Sequence, residues 1–237
     1  MDTMFTNAGA QARSDSQLER WLRERYSCRA FLPDPVPRSV IERILELAQR
    51  TASWCNCQPW QLVITEGAAT ERVRRALTAR AEAGLPTTAP EFPFPSAYKK
   101  EYMSRRREAG FQLYRAVGVA RGDRPAYRRQ EMRNFLLFDA PHLALITSPA
   151  DLGEYGAIDC GGYVSTFLLA ARANGVATVP QAALAMYPDV LREQLDLPGD
   201  RRVVCGISFG YENPDHAANS YRTHRAELED VARFVSE

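Results

Sequence analysis

The strongest constraint on the fold is the apolar run GAIDCGGYVSTFLLAARANGVATV at residues 156–179. Its apolar residues fall on more than one side of a helix, and such a helix is stable only where other layers of structure cover it. Gly175 is suited to end the helix, because glycine readily adopts the left-handed conformation that closes many helices. The run therefore predicts a central helix with structure packed on several sides.

The rest of the chain supplies strands and helices that could cover this central helix. Apolar runs at 60–65, 140–148 and 202–211 predict about three strands. Amphipathic patterns predict helices near 18–22, 40–48 and 72–83, one that reaches about residue 117 and another that runs to Phe138. Pro180 is suited to open a turn, and Leu228, Val231, Phe234 and Val235 form a last amphipathic segment. Strands separated by helical stretches indicate an α+β or α/β layer fold.

Length and composition indicate one soluble globular domain. The 237 residues can bury a sizeable core, and 45% hydrophobic with 25% charged residues is ordinary for a soluble protein. Residues 1–15 are predicted to form a flexible tail before a single domain at 16–237, which no repeat or linker divides. No apolar run reaches the roughly 20 residues that span a bilayer, and the polar start lacks the apolar core of a secretory signal. We therefore expect a cytoplasmic protein that does not contact a membrane.

The five cysteines favour neither a disulfide framework nor a metal site. They are an odd and scattered set, at positions 28, 55, 57, 160 and 205, and a reducing cytoplasm is the ordinary setting for such thiols. A structural zinc needs about four Cys or His ligands in close pairs, whereas only Cys55 and Cys57 are paired here. The sequence places no base that could activate a catalytic thiol. We predict small, partly buried thiols and no bound metal.

One segment departs from the near-neutral charge of the chain. Residues 96–133 hold 11 Lys and Arg but 4 Asp and Glu, a net charge of +7, which leaves −6 for the rest of a chain whose net charge is +1. Such a segment can be a solvated helix face. It can also attract anions, either a small anionic substrate or a nucleic acid. The aromatic residues here fall at helical spacing, which indicates packing rather than base stacking.

Three short motifs carry candidate binding groups. In RYSCR, Arg25 and Arg29 flank the hydroxyl of Ser27, a set that suits a phosphate or another bidentate anion. In VPQAAL at 179–184, the residues after Pro180 can point backbone N–H groups into a cavity. The segment NSYRTHR at 219–225 adds Arg222 in a stretch without a regular pattern. No Rossmann or P-loop glycine motif follows a strand, so neither nucleotide site is predicted.

Taken in order, these motifs resemble the FMN-dependent nitroreductase family. The N-terminal signature occurs as RYSCRAF at 25–31 and, after a helix, as S-x-x-N-x-Q-P-W at 53–60, which leads into a strand. FDAPHLALIT, the central apolar run, VPQAAL, GISFGYENPD and NSYRTHRAELEDV follow in the family's order. The resemblance covers about residues 16–235. A basic helical insertion at about 84–138 is similar to that of the subgroup that acts on nitroaromatics such as nitrobenzoates.

The resemblance implies an α+β three-layer sandwich, with a mainly antiparallel central sheet flanked by helices. It also implies a domain-swapped homodimer with two FMN sites at the interface. By position, Arg25 and Ser27 would bind the FMN phosphate, with Tyr26 in the same segment and Arg222 returning from the C-terminal region. Arg29 would lie near flavin N1 and the C2 carbonyl, where a fixed guanidinium stabilises the negative charge of the reduced flavin.

The remaining implied contacts lie in three other segments. Pro180, Gln181, Ala182 and Ala183 match the segment against flavin N5. Compact members often carry an acidic residue and a glycine in place of Ala182 and Ala183, so only the backbone role is carried over. Asn134 matches a region that contacts the flavin ring or ribityl chain. Ser53, Trp54 and Asn56 match a loop that reaches the flavin of the partner subunit, and Cys55 and Cys57 would only line its wall.

The implied activity is that of an NAD(P)H oxidoreductase with a ping-pong cycle. NAD(P)H would reduce the bound FMN, and a nitroaromatic compound or a quinone would then accept the electrons in the same space. No catalytic side chain is demanded, because the cofactor carries the chemistry. Two alternatives stay open on sequence alone: another reaction of the same fold, such as reductive dehalogenation or flavin fragmentation, and a nucleic-acid-binding or adaptor protein that uses the basic segment.

Overall fold

An antiparallel sheet with helices on both faces organises the residues that the computed structural model describes, 16–84 and 89–236. The predicted flexible tail at 1–15 lies outside these residues. The helices are α1 (Gln17–Glu24), α2 (Arg38–Ala48), α3 (Ala68–Glu82), α4 (Lys100–Ala116), α5 (Arg124–Met132), α6 (Gly153–Ala173) and α7 (Pro188–Leu195). The strands are β1 (Gln61–Thr65), β2 (His142–Pro149), β3 (Ala177–Gln181) and β4 (Arg201–Gly210).

The sheet has the strand order β1-β2-β4-β3, and every neighbouring pair is antiparallel. The central pair is β2 with β4, in register from His142 opposite Phe209 to Pro149 opposite Arg201. All of β2 except its last residue is buried. A strand covered on both faces carries a continuous apolar run, and for this reason both central strands were readable in the sequence.

Each face of the sheet carries its own helix pair. On one face, α2 and α6 pack over Ala144, Ile146, Ile207 and Phe209. On the other face, α3 and α7 pack over Leu143, Leu145 and Val203. Because successive side chains of a strand point to opposite faces, these two sets alternate along β2 and β4. The prediction of three layers around a mainly antiparallel sheet is confirmed.

Helix α6 is the predicted central helix. Phe167 is fully buried, and its ring meets that of Phe209 nearly edge-on, with 5.8 Å between the centroids. The helix ends at Ala173, and Gly175 has a φ of +74°, the left-handed conformation expected for its stop. No helix within the described ranges combines the length and the apolar character that a bilayer crossing needs.

The structure has a fourth strand, β3, where the sequence predicted only a short extended segment and a turn. Pro180 lies inside this strand opposite Ile207 rather than opening a turn. A proline cannot donate to a strand ladder and is therefore confined to edge strands, bulges and strand starts. Strand β3 meets these limits because it lies at the edge of the four-stranded sheet, next to β4. The turn follows at Ala182–Met186 as a 3₁₀ helix.

The prediction of a helix that runs to Phe138 is wrong, because α5 ends at Met132. Leu137, Phe138 and Asp139 have positive φ angles of 54°, 53° and 66°, which are incompatible with a right-handed α-helix. Leu137 is buried with α3 and α7, whereas Phe138 is buried with Cys28. The apolar residues after α5 therefore serve two different clusters, and their spacing only imitated a helical period.

The C-terminal segment forms one 3₁₀ turn, Leu228–Asp230, where the sequence predicted an amphipathic segment. Its apolar side chains are exposed rather than packed on the rest of the chain: Leu228, Val231, Phe234 and Val235. Helices α1 and α4 resemble the segment in this respect, because neither of them contains a buried residue.

Two residues of β4 fix loops to the sheet. Gly206 lies where an added Cβ would come within 2.6 Å of Leu184, so the absence of a side chain lets the 3₁₀ helix after β3 settle on the sheet. Arg201 is 6% exposed, and its guanidinium donates to the Thr147 carbonyl at 2.7 Å and to the Pro59 carbonyl at 2.8 Å. The register of β2 and β4 shifts between Ile146 and Thr147, so Arg201 satisfies the backbone at an irregular point of the ladder.

Replacing Arg201 should therefore destabilise the fold. In Arg201→Met the buried carbonyls of Thr147 and Pro59 lose their charged donor, and we expect the free energy of unfolding to fall by about 2–4 kcal/mol. For a chain of this size the melting temperature should drop by roughly 5–12 °C. Arg202→Met is the matched control, because Arg202 is the exposed neighbour on the same strand. Equal melting temperatures for the two variants would contradict this role of Arg201.

Candidate functional site

The segment that contains RYSCR runs beside β3. Ser27 forms a parallel bridge with Thr178, and the Cys28 backbone N–H donates to the Thr178 carbonyl at 3.0 Å. Cys28 and Ala30 are buried, whereas Ser27 and Arg29 are only half-buried. Because side chains of an extended chain alternate, the inward pair anchors the segment, and Ser27 and Arg29 are directed away from the core.

Asn219 ties the C-terminal segment to this one. Its side-chain oxygen accepts from the Arg29 backbone N–H at 2.8 Å, and its amide donates to the carbonyls of Ala30 and Asn213, each at 2.9 Å. The residue is 5% exposed, so all three bonds are sheltered from water. Residues far apart in the chain are thereby held side by side, which brings the region of Arg222 against that of Arg25.

The two segments enclose a cavity of about 360 Å³ that is rich in arginine. The lining residues are Leu22, Arg23, Arg25, Tyr26, Ser27, Arg29, Tyr221, Arg222, Thr223 and Arg225. The wall contains five arginines and no carboxylate. Partial burial, and then the nearby Arg225, lower the pKa of Arg25. Several guanidinium groups gathered in one wall favour an anion, and a phosphate dianion matches both the charge and the donors that Arg25, Arg29 and Arg222 offer.

The guanidinium of Arg29 is fixed within this wall. Its Nη1 donates to the Ser27 carbonyl at 3.1 Å and to the Tyr221 hydroxyl oxygen at 3.0 Å. Burial raises the pKa of Tyr221, so its hydroxyl stays protonated and neutral. Arg29 is therefore oriented by neutral partners, and no carboxylate of the described residues forms an ion pair with it. A fixed positive charge of this kind can stabilise an anion that develops close by.

The segment Pro180–Ala183 follows directly along β3 from Thr178. The Gln181 side chain points inward: its amide donates to the Asn134 carbonyl at 2.9 Å, and its oxygen accepts from the Ser208 hydroxyl at 2.5 Å. The structure thus brings Asn134 against Gln181. Because these hydrogen bonds already occupy the Gln181 side chain, a ligand at the surface of this segment would contact backbone groups together with Ala182 and Ala183.

The structure places Ser53, Trp54 and Asn56 away from the arginine cavity of their own chain, because none of them lines it. The Trp54 backbone N–H donates to the Asp159 carboxylate of α6 at 3.1 Å, and the Trp54 ring meets Tyr155 at 4.3 Å between centroids. The turn from Trp54 to Asn56 is exposed. A single chain therefore presents this loop outward rather than using it at its own cavity.

Cys55 and Cys57 of the same turn are exposed free thiols. The Cys57 sulfur lies 3.7 Å from a carboxylate oxygen of Asp159. Cys55 has a φ of +49°, a left-handed conformation that is uncommon for a residue with a side chain. Within the described residues, no group of three or more Cys, His, Asp or Glu side chains could hold a metal ion.

Sequence reasoning missed four residues that build the site. Asn219 and Tyr221 lie in the NSYRTHR segment, where only the arginines were considered. Ser208 and Glu212 lie at and after the end of β4: Ser208 fixes Gln181, and Glu212 accepts from the Tyr26 hydroxyl at 3.1 Å. A polar Ser in an otherwise apolar buried strand was a readable signal, because buried hydroxyls require a partner. Nothing in the sequence pointed to the partner of Glu212.

Known proteins are similar to this chain in sequence and in fold. The family model described as "Nitroreductase family" matches residues 22–211. A chloronitrobenzene nitroreductase of Comamonas testosteroni is 35% identical, over 91% of this chain and 96% of its own length. A 4-nitrobenzoate reductase of Nocardioides sp. (strain LMS-CY) is 34% identical, over 90% of this chain and 88% of its own length.

A solved structure extends the match to three dimensions. The FMN-dependent nitroreductase NfnB of Mycobacterium smegmatis, solved in complex with NADPH, superposes with a TM-score of 0.86 at 35% identity, over 92% of this chain and 97% of that one. Sequence and fold agree over nearly the same residues, and the chain belongs to the nitroreductase family.

Proposed function

We propose that the protein is an FMN-dependent NAD(P)H oxidoreductase that reduces nitroaromatic compounds or quinones in a ping-pong cycle. The observation that carries the proposal is the cavity beside β3 that Arg25, Arg29 and Arg222 line together, in a chain similar to an FMN-dependent nitroreductase. The names of the relatives support a nitroaromatic acceptor. When bound, FMN would supply the redox chemistry, taking electrons from NAD(P)H and passing them to the acceptor.

The proposal assigns the phosphate of FMN to Arg25, Ser27 and Arg222. These residues line one cavity, and together they offer two guanidiniums and a hydroxyl to an anion. Arg29 is assigned to the N1 and C2-carbonyl edge of the ring, where its fixed charge would stabilise the reduced state. Its bonds to the Ser27 carbonyl and the Tyr221 hydroxyl support this role, because a preorganised donor needs no rearrangement during the reaction.

The segment Pro180–Ala183 is assigned to the N5 side of the ring through its backbone. Strand β3 rises by about 3.3 Å per residue, so the step from Thr178 to Gln181 covers about 10 Å. A bound FMN could therefore run along β3, with its phosphate beside Ser27 and its ring near residues 181–183. The bond from Gln181 to the Asn134 carbonyl supports a place for Asn134 at the same end.

We further propose that the working unit is a homodimer. The exposed side chains of Trp54, Tyr155 and Ile158 gather on and beside α6, and the C-terminal segment exposes four more large apolar side chains. A large contiguous apolar surface on a soluble protein marks an interaction site. A second copy is the occupant that fits, because the 53–56 loop lies outside its own cavity and can complete the partner's. The five free thiols are compatible with the expected cytoplasmic location.

Disrupting this surface should separate the subunits. Ile158→Asp places a charge among Trp54 and Tyr155, and we expect a monomer by light scattering together with a loss of bound FMN, because the partner's loop would be missing. Ala68→Asp is the matched control: it adds the same charge at an exposed site on α3, which packs on the opposite face of the sheet. A dimer with full FMN content in Ile158→Asp would contradict the assignment of this surface.

The central prediction concerns flavin binding. The purified protein should be yellow, and the flavin that it releases should be FMN. Arg25→Ala should weaken FMN binding more than Arg225→Ala, because Arg25 has Ser27 beside it and is partly buried, whereas Arg225 is exposed and bonded to the carbonyls of Thr223 and His224. Titration of the apo-proteins with FMN measures both dissociation constants.

Two different failures are separable in this experiment. A colourless protein that cannot be reconstituted with FMN would overturn the proposed function itself. Equal dissociation constants for the two variants would leave the function standing but show that the phosphate assignment is wrong. A ping-pong cycle requires parallel lines when reciprocal rates are plotted against reciprocal NADPH concentration at several acceptor concentrations, and intersecting lines would exclude it.

The basic insertion should act on charged substrates. Helix α4 buries none of its residues, and clefts of about 610 and 700 Å³ lie along it, lined in part by Arg105 and Arg107. Positive charge there should raise the local concentration of anions, an effect that salt screens over about 8 Å. We therefore expect kcat/KM for 4-nitrobenzoate to fall with added salt more than kcat/KM for uncharged nitrobenzene.

The matched variant replaces Arg105, Arg106 and Arg107 together with Gln. It should shrink the difference between the two substrates and leave the FMN content unchanged. If kcat/KM responds to salt in the same way for both substrates in the parent protein, the basic segment is only a solvated helix face and does not attract the substrate.

A further inference from the structure

One contact at the cavity lies outside the phosphate assignment. The guanidinium carbon of Arg222 lies 3.6 Å from the centroid of the Tyr26 ring. Cation–π attraction extends to about 6 Å from a ring centroid, so this is a close stack. The ring belongs to the RYSCR segment and the guanidinium to the C-terminal segment. The stack therefore joins the two walls of the cavity through side chains.

Arg222 needs such a support because little else orients it. It is exposed, and it lies in an irregular stretch shortly after the 3₁₀ turn Ala217–Asn219. Its Nη1 donates to the carbonyls of Asn219 and Tyr221, each at 2.8 Å. Among the described residues, no carboxylate pairs with Arg222 and no hydrogen bond uses its Nε or Nη2. These two nitrogens remain for an anion in the cavity that Arg222 lines.

The ring of Tyr26 is itself fixed. Its hydroxyl donates to the Glu212 carboxylate at 3.1 Å, and Glu212 is anchored by a backbone bridge to Phe31. Burial, and then the neighbouring Cys28 and Glu212, raise the pKa of Tyr26, so the phenol remains a donor throughout the neutral range. The chain of contacts runs from the end of β4, through Glu212 and Tyr26, to the guanidinium of Arg222.

We propose that Tyr26 is a positioning residue that holds the Arg222 guanidinium toward the phosphate of FMN, so that it sets the preference for FMN over a flavin without phosphate. This inference rests on the proposed function. An arginine that is already immobilised loses less rotamer freedom when it binds its anion, so the stack strengthens phosphate binding without touching the phosphate. Affinity for the isoalloxazine ring should not depend on Tyr26.

The test compares FMN with riboflavin, which has the same ring and no phosphate, by fluorescence titration of the apo-proteins. In Tyr26→Leu the affinity for FMN should fall roughly 3- to 10-fold, while that for riboflavin stays at the parent value. Tyr26→Phe keeps the ring and should lie closer to the parent than to Tyr26→Leu. In an Arg222→Ala background, adding Tyr26→Leu should cause little further loss of FMN affinity, because the guanidinium that it positions is gone.

Each outcome decides the question. An equal loss of FMN and riboflavin affinity in Tyr26→Leu, or an undiminished effect in the Arg222→Ala background, would overturn the positioning role. If Tyr26→Leu does not fold, Tyr26→Met supplies the unbranched non-aromatic variant for the same cycle. A parent protein that binds neither flavin would contradict the proposed function. A parent that prefers FMN, with the preference intact in the non-aromatic variant, would contradict this inference alone.

Discussion

The pairing of β2 with β4 is the constraint on which the rest of the molecule depends. Most residues of both strands are buried under helices on the two faces of the sheet, so apolar side chains predominate in them, and the pair lies in the middle of the sheet. Their alternating side chains divide the core into one cluster under α2 and α6 and another under α3 and α7. The edges of the sheet are then left for β1 and β3. Strand β3 is the edge at which the binding groups collect.

An edge strand has backbone groups that are free to bind a further segment, whereas a central strand does not. Its outer side has backbone groups without a partner in the sheet, and the RYSCR segment uses one of them through the bond from Cys28 to Thr178. Five arginines line the cavity beside it, and the residues that the structure describes in this lining include no carboxylate. Such an arrangement is unfavourable for the empty protein, because like charges repel at partly buried positions. It becomes favourable when an anion binds, which is the usual compromise between stability and function.

Much of this architecture could be predicted from the sequence, because buried strands and helices require apolar side chains and therefore appear as apolar runs. The two central strands, helix α6 and its stop at Gly175 follow from apolar runs and one glycine. Strand β3 was missed because a proline usually indicates a turn, although an edge strand also tolerates it. Whether a strand lies at an edge depends on the pairing of the whole sheet, which the local sequence does not reveal. The end of α5 was misjudged because Leu137 and Phe138 serve different clusters at helix-like spacing. Arg25, Ser27 and Arg222 were predicted from the order of the motifs, and the structure places them around one cavity. Asn219 and Glu212 could not be predicted in this way, because their contacts join segments far apart in the chain.

The bond from Arg29 to Asn219 joins residues 190 positions apart in the chain. A contact of that separation has a large loop-closure cost, which is repaid only after the intervening sheet has formed. We therefore expect the arginine wall to assemble late in folding. During synthesis, the N-terminal half of the wall exists long before its C-terminal half emerges. A nascent chain that has completed RYSCR has no enclosed anion site until Asn219 and Arg222 have also been translated.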